Sequence, residues 1–234
     1  SVVWAYAGRS PVAPSAGPRW EEGRVALGAD GAGPAGQRLP AGMPVAANLW
    51  GGDDAAVVAD PADPGRPLFR FDRAEGEPNV PNSPANSCDV FRIVDLASLQ
   101  RGAGVGPAAD RETILELSAA FTDDRPAAGD PVEFGCRVYA FRGDPAVLRA
   151  TWPAVLRDVA SVGTAYARSG GGNPAARIPL TAKSTLPAGV DYVVVHLFVS
   201  RPGRSSVVPA EFGRQFVGDV RLALRHLPAA ERKP

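Results

Sequence analysis

The sequence predicts an all-β chain folded as a two-sheet antiparallel sandwich with one short inserted helix. Three observations carry this. Apolar and polar residues alternate with period two in most segments between Val45 and Leu224. The 26 Gly and 24 Pro are spread between those segments, where turns belong. Helical spacing is confined to one stretch, residues 145–163.

A chain of 234 residues suits one large domain and can bury a core without covalent staples. Twenty-five basic residues balance twenty-five acidic ones, so the formal net charge is zero. That excludes the electrostatic footprint of a nucleic-acid or anionic-membrane binder. No internal stretch reaches the roughly 20 apolar residues that a membrane span needs.

Residues 1–44 read as an N-terminal arm or linker. Arg9–Pro18 and Gly28–Gly42 are rich in Pro, Ala and Gly, with a short strand candidate at Glu22–Leu27. Ser1–Ala7 is short, apolar and aromatic. It fits the outer end of a membrane helix upstream of Ser1, with Trp4 and Tyr6 at the interface, and equally a first strand.

The regular domain is expected over 45–226. Val45–Trp50, Ala55–Ala59, Pro67–Asp72 and Val90–Leu96 are strand candidates, separated by loops at 74–87 and 99–110. In Glu112–Thr122, Leu115, Leu117, Ala119 and Phe121 form the core-facing set. Pro131–Arg142 opposes Phe134, Cys136, Val138 and Ala140 to Glu133, Arg137, Tyr139 and Phe141. Over 145–163, Thr151 is placed to cap a helix, Pro153 to enter its first turn and Gly163 to end it. Val155, Leu156 and Val159 would be its apolar stripe. Tyr166–Arg168 and Arg177–Leu186 resume strand patterning, and Pro179 points to an edge or bulge. Tyr192–Val199 is apolar on both faces, as in a central strand. Phe216–Leu224 closes the domain, and 227–234 is a charged tail.

Cys88 and Cys136 each fall in or beside a strand. They read as a candidate disulfide, which would add about 3–4 kcal/mol in the chain-entropy model, or as two buried thiols. No CxxC motif or metal cluster is present in the sequence.

The run Leu186-Pro-Ala-Gly-Val-Asp-Tyr-Val-Val-Val, followed by Phe216-Val-Gly-Asp-Val-Arg-Leu-Ala-Leu, resembles the last strands of carbohydrate-binding-module and galactose-binding-like jelly rolls. The resemblance implies a jelly-roll topology and a carbohydrate ligand. It also implies a structural calcium, since the last-strand Asp in such domains often ligates one. The matching position is Asp219, with Asp53 or Asp54 as a second carboxylate among six to eight oxygens. Asn48-Leu-Trp-Gly-Gly-Asp departs from the Asn-Gly-Gly-Phe-Glu type of opening in those families. Phe91-Arg-Ile-Val-Asp-Leu and Leu115-Glu-Leu-Ser-Ala-Ala-Phe resemble membrane-anchored planctomycete proteins that accompany extracytoplasmic-function sigma factors. These join an anti-sigma-like segment, a membrane helix and an outer jelly roll, which implies an extracytoplasmic, membrane-anchored domain.

Sugar binding needs aromatic platforms for the apolar faces of pyranose rings. Trp50, Tyr139, Trp152 and Tyr166 are the candidates, and each also reads as ordinary packing. For catalysis there is no GxSxG, HExxH, P-loop or dinucleotide fingerprint. His196 lies among Val and Phe, where a histidine is usually a hydrogen-bonded core residue. The expectation is a non-enzymatic extracytoplasmic binding or sensory domain for carbohydrate or cell-wall glycan. Its alternatives are a module binding another protein through edge strands or the 145–163 helix, and a polysaccharide hydrolase or lyase, which would need two carboxylates facing across a cleft.

Overall fold

The computed structural model describes residues 21–27, 34–60, 63–75, 86–103, 113–174, 176–202 and 209–226. The expectations for 1–20 and 227–234, and most of those for the loops at 74–87 and 99–110, lie outside these residues. Eleven strands are described: β1 Glu21–Ala26, β2 Trp50–Gly52, β3 Asp54–Asp60, β4 Asp63–Arg73, β5 Ser87–Asp95, β6 Thr113–Asp123, β7 Ala128–Phe141, β8 Ser161–Gly171, β9 Arg177–Thr185, β10 Tyr192–Ser200 and β11 Glu211–His226. They form two antiparallel sheets, as the alternation predicts. One runs β3-β4-β11-β6-β9, with β1 added on β11; the other runs β2-β5-β10-β7-β8.

Alternation places the core. In β6, Leu115, Leu117 and Phe121 are fully buried between the sheets, and Ile114, Glu116 and Ser118 turn outward. Facing them from the other sheet are Phe134, Cys136 and Val138 of β7 and Val193, Val195, Leu197 and Val199 of β10. β10 is the middle strand of its sheet, which accounts for its second apolar face. Tyr192 and Val194 lie on that face in a smaller outer core with Met43, Phe91, Ile93, Tyr139, Phe141 and Leu148.

Exposed strand edges invite pairing with other chains, and this fold covers the β2 and β3 edges. Residues 36–42 run along both edges at one side. Gln37 and Leu39 bond to β3, while Pro40 and Gly42 bond to β2. At the opposite side β8 and β9 abut, and Ser161 Oγ donates to the Thr185 carbonyl at 2.6 Å. A Cβ at Gly163 would lie 2.4 Å from the Lys183 carbonyl oxygen, so only glycine allows that approach.

Four expectations change. The 145–163 helix is broken into a 3-10 turn at Pro145–Val147, α2 at Leu148–Thr151 and a second 3-10 turn at Ala154–Asp158. Pro153 pushes the preceding Trp152 into an extended conformation and supplies no N–H. Asp144, rather than Thr151, caps the segment, accepting the Ala146 N–H at 2.8 Å. Gly163 belongs to β8. Val45–Leu49 is turn rather than strand, with only Trp50 onward entering the sheet. Conversely, α1 at Leu96–Ala103 replaces the end of a strand and the start of a loop; taking α2 as too short to count, it is the one short helix. The signal was present: the Asp95 carboxylate accepts the Ser98 N–H at 2.7 Å, and Leu96 and Leu99 bury one face.

The disulfide is the fourth correction. Both cysteines are free and buried. Cys88 on β5 and Cys136 on β7 are separated by β10, where they pair with Val199 and Leu197. Two strand spacings are roughly 9–10 Å, too far for a bridge. Burial pushes the Cys136 thiol up to about 12 and the Cys88 thiol higher still. We therefore expect no change in melting temperature with reductant, and two thiols that react with a thiol reagent only after denaturation.

Candidate functional site

A depression lies on the outer face of the six-stranded sheet. It originates in one irregularity of β11. β4 pairs with Glu211–Val217 and β1 with Arg221–His226, so the two share one side of that strand. At the changeover the β11–β6 register shifts. Gly218 faces Ala120 but Arg221 faces Ser118, which puts one extra residue into β11. This is a bulge, the backbone device that re-aims a side chain. Within it Asp219 takes φ 52°, a left-handed conformation that non-glycine residues seldom adopt.

Small side chains hollow the surface beside the bulge. Phe216, Thr122 and Arg177 are cross-strand neighbours in one outward row. The next row is Gly218, Ala120 and Pro179. Glycine and alanine leave that row low between taller neighbours. Even a Cβ at Gly218 would come within 2.3 Å of Leu68 Cδ2. The resulting trough holds about 300 Å³, at the lower end of the range for small-molecule sites. Phe216, Leu68 and Pro174 give it apolar walls; Arg66, Arg177, Asp60, Asp124 and Thr122 give it polar ones.

Asp219 organises the polar side. Its carboxylate accepts from Arg177 Nη2 at 2.5 Å and from Arg66 Nη1 at 3.3 and 3.4 Å. Arg66 Nη2 also donates to Asp60. The two arginines come from β4 and β9, on opposite sides of β11 and β6, and one carboxylate joins them. Among the described residues Arg66 Nε is buried and has no hydrogen-bond partner. The Asp124 carboxylate pairs with Arg214 Nη1 at 3.6 Å, and its neighbour Asp123 sits in a buried network. Burial would raise the Asp123 carboxyl, but hydrogen bonds from Arg125, Ser169 and Gln215 outweigh it and hold the group below its usual range.

No family model and no curated protein matches this chain.

The calcium recipe does not fit. Both oxygens of Asp219 already face guanidinium groups. Asp54 pairs with Arg73 at the far end of β4, at least five residues from the Leu68 that lies against Gly218. At 3.4 Å per residue that is roughly 17 Å, too far to share an ion. Asp54 forms an ion pair with Arg38, and Asp53 accepts the Asp89 N–H at 3.0 Å. Among the described residues no cluster of three or more His, Cys, Asp or Glu could hold a metal.

The aromatic candidates separate. Trp50 is 2% exposed in the main core, its ring 4.6 Å from that of Phe69, which corrects its reading as a platform. Tyr139 and Trp152 meet edge to face at 5.7 Å over the outer core of the five-stranded sheet. They pack around His196, whose Nε2 lies 2.6 Å from Asp89 Oδ1. Tyr166, 53% exposed, is the one candidate open to solvent, with Arg137 over its ring at 5.7 Å. None of the four lines the trough. Of the site residues expected from the sequence only Asp219 touches its lining, as the partner of Arg66 and Arg177. Arg66, Arg177, Phe216 and Ala120 were missed. The available signal was Gly218-Asp219 inside an apolar strand, which marks a bulge.

Proposed function

We propose that the chain is a non-enzymatic binding domain that takes a neutral saccharide of one or two rings in the trough. The carrying observation is the combination of an apolar wall at Phe216 and Leu68 with alternating arginine and carboxylate groups around a 300 Å³ hollow. A pyranose presents the same mixture. Its C–H face suits an aromatic wall, and each hydroxyl can accept from an arginine and donate to an aspartate. Charge favours a neutral ligand, because Asp60, Asp124 and Asp219 are matched by Arg66, Arg177 and the Arg214 that pairs with Asp124. The order β4-β11-β6-β9 facing β5-β10-β7-β8 supports a jelly roll, the fold of the carbohydrate-binding modules that the closing strands resemble. That resemblance, with the likeness to outer domains of anti-sigma-like proteins, supports an extracytoplasmic setting and a tether upstream. The cover that residues 36–42 give to the β2 and β3 edges weighs against recognition of another protein by strand addition there. Asp60 and Asp219 are each engaged by arginine, which weighs against a pair of carboxylates acting as acid and base.

The test is a titration of the protein with a panel of neutral mono- and disaccharides, followed through backbone amides. A binder should shift Phe216, Gly218 and Ala120, and at 100 times its dissociation constant add about 2.7 kcal/mol of stability. Ala120→Leu fills the trough from the surface. It should abolish the response while changing stability by no more than about 0.5 kcal/mol. Shifts clustered at Tyr166 instead would move the site to the other sheet; no shift at any residue would remove the reading.

A further inference from the structure

The two arginines of the trough are not free to meet a ligand as cations, because Asp219 lies between them. We propose that Asp219 is the specificity-determining residue of this face: it occupies Arg177 and, together with Asp60, Arg66, and so excludes ligands that carry a carboxylate or sulfate. This deepens the saccharide reading and takes its site from it.

Three observations meet at this residue. Its backbone is held at φ 52° in a bulge, a conformation retained only where the surroundings enforce it. Its carboxylate touches both guanidiniums, at 2.5 Å to Arg177 and 3.3 Å to Arg66. The arginines flank a hollow lined by Gly218 and Ala120, wide enough to admit an oxyanion. A guanidinium offers five N–H donors in a planar fork that matches a carboxylate or sulfate bidentately. In Arg177, 46% exposed, Nη2 is committed to Asp219, and that commitment is what an anionic ligand would have to displace. Without Asp219, Arg66 would keep its Asp60 partner while Arg177 would be released to meet an anion. With it they act as fixed donors to uncharged hydroxyls. Counted over Asp60, Asp124, Asp219, Arg66, Arg177 and Arg214, the site changes from neutrality to one net positive charge when Asp219 loses its charge.

The experiment uses glucose and glucuronate, which differ by one carboxylate, and reads amide shifts at Phe216, Gly218 and Ala120 in the whole chain. The variant is Asp219→Asn, which keeps the side-chain shape, and asparagine tolerates a positive φ. Wild type should prefer glucose. D219N should move the preference toward glucuronate by about tenfold or more, and the gain should shrink with added salt. Asp219→Gly relaxes the backbone and should show the same swap, which separates the charge effect from any loss of fold. An unchanged preference in both variants overturns the inference, even if wild type binds glucose well. If wild type ignores glucose while D219N gains glucuronate, the neutral-saccharide reading fails and the role of Asp219 stands.

Discussion

Phe121→Ala should lower the stability of the fold by about 3–5 kcal/mol, as large-to-small changes at rigid core sites do. Phe121 has no exposed surface and stands where the sheets meet. Its ring centroid is 5.2 Å from that of Phe134 in the opposite sheet and 6.5 Å from that of Phe71 on its own. Truncation removes both contacts and leaves a cavity that two flat, hydrogen-bonded layers cannot close. In a domain of this size the loss corresponds to a melting temperature lower by roughly 10 °C. Phe216→Ala on the trough wall is the control. It should cost much less stability yet remove the ligand response. A Phe121→Ala loss below about 1 kcal/mol would mean that the two sheets do not share the interior described here.

Asp53→Asn should flatten the pH dependence of stability. Burial, and then the nearby Asp89 carboxylate, push the Asp53 carboxyl from 3.8 up to about 8, against opposing hydrogen bonds from the Asp89 and Glu75 backbones. The native state therefore keeps a proton that the unfolded chain releases near pH 4. Its contribution is fully present below that pH and is lost as pH rises through about 8. The loss is on the order of a few kcal/mol. Asparagine remains neutral throughout, and its amide oxygen can still accept the Asp89 N–H. Melting curves from pH 4 to 9 should show wild type falling more steeply than D53N. Parallel curves would mean that Asp53 ionises normally.

The parts of this fold that were legible were those with a strong local period. β6 shows inward Leu115, Leu117 and Phe121 against outward Glu116 and Ser118, and no other packing satisfies that alternation. β10 reads as central because polar residues are nearly absent from both of its faces. Where the local signal was short it misled. Thr151 and Gly163 look like helix ends, but Pro153 divides the helix and Gly163 is required for the approach of β8 to β9.

By itself, then, the sequence determined two antiparallel layers, their inward residues and a chain without net charge, because these follow from a two-residue period and from composition. Only the tertiary structure decided the site. Arg66, Ala120, Arg177 and Asp219 are scattered over four strands with no shared spacing, and none carries a motif. They become neighbours because β1 replaces β4 beside β11, the register slips by one residue, and the slip turns Asp219 outward between two arginines. Which strand lies beside which, and where the ladder slips, is a property of sheet order, and short-range patterning does not encode sheet order.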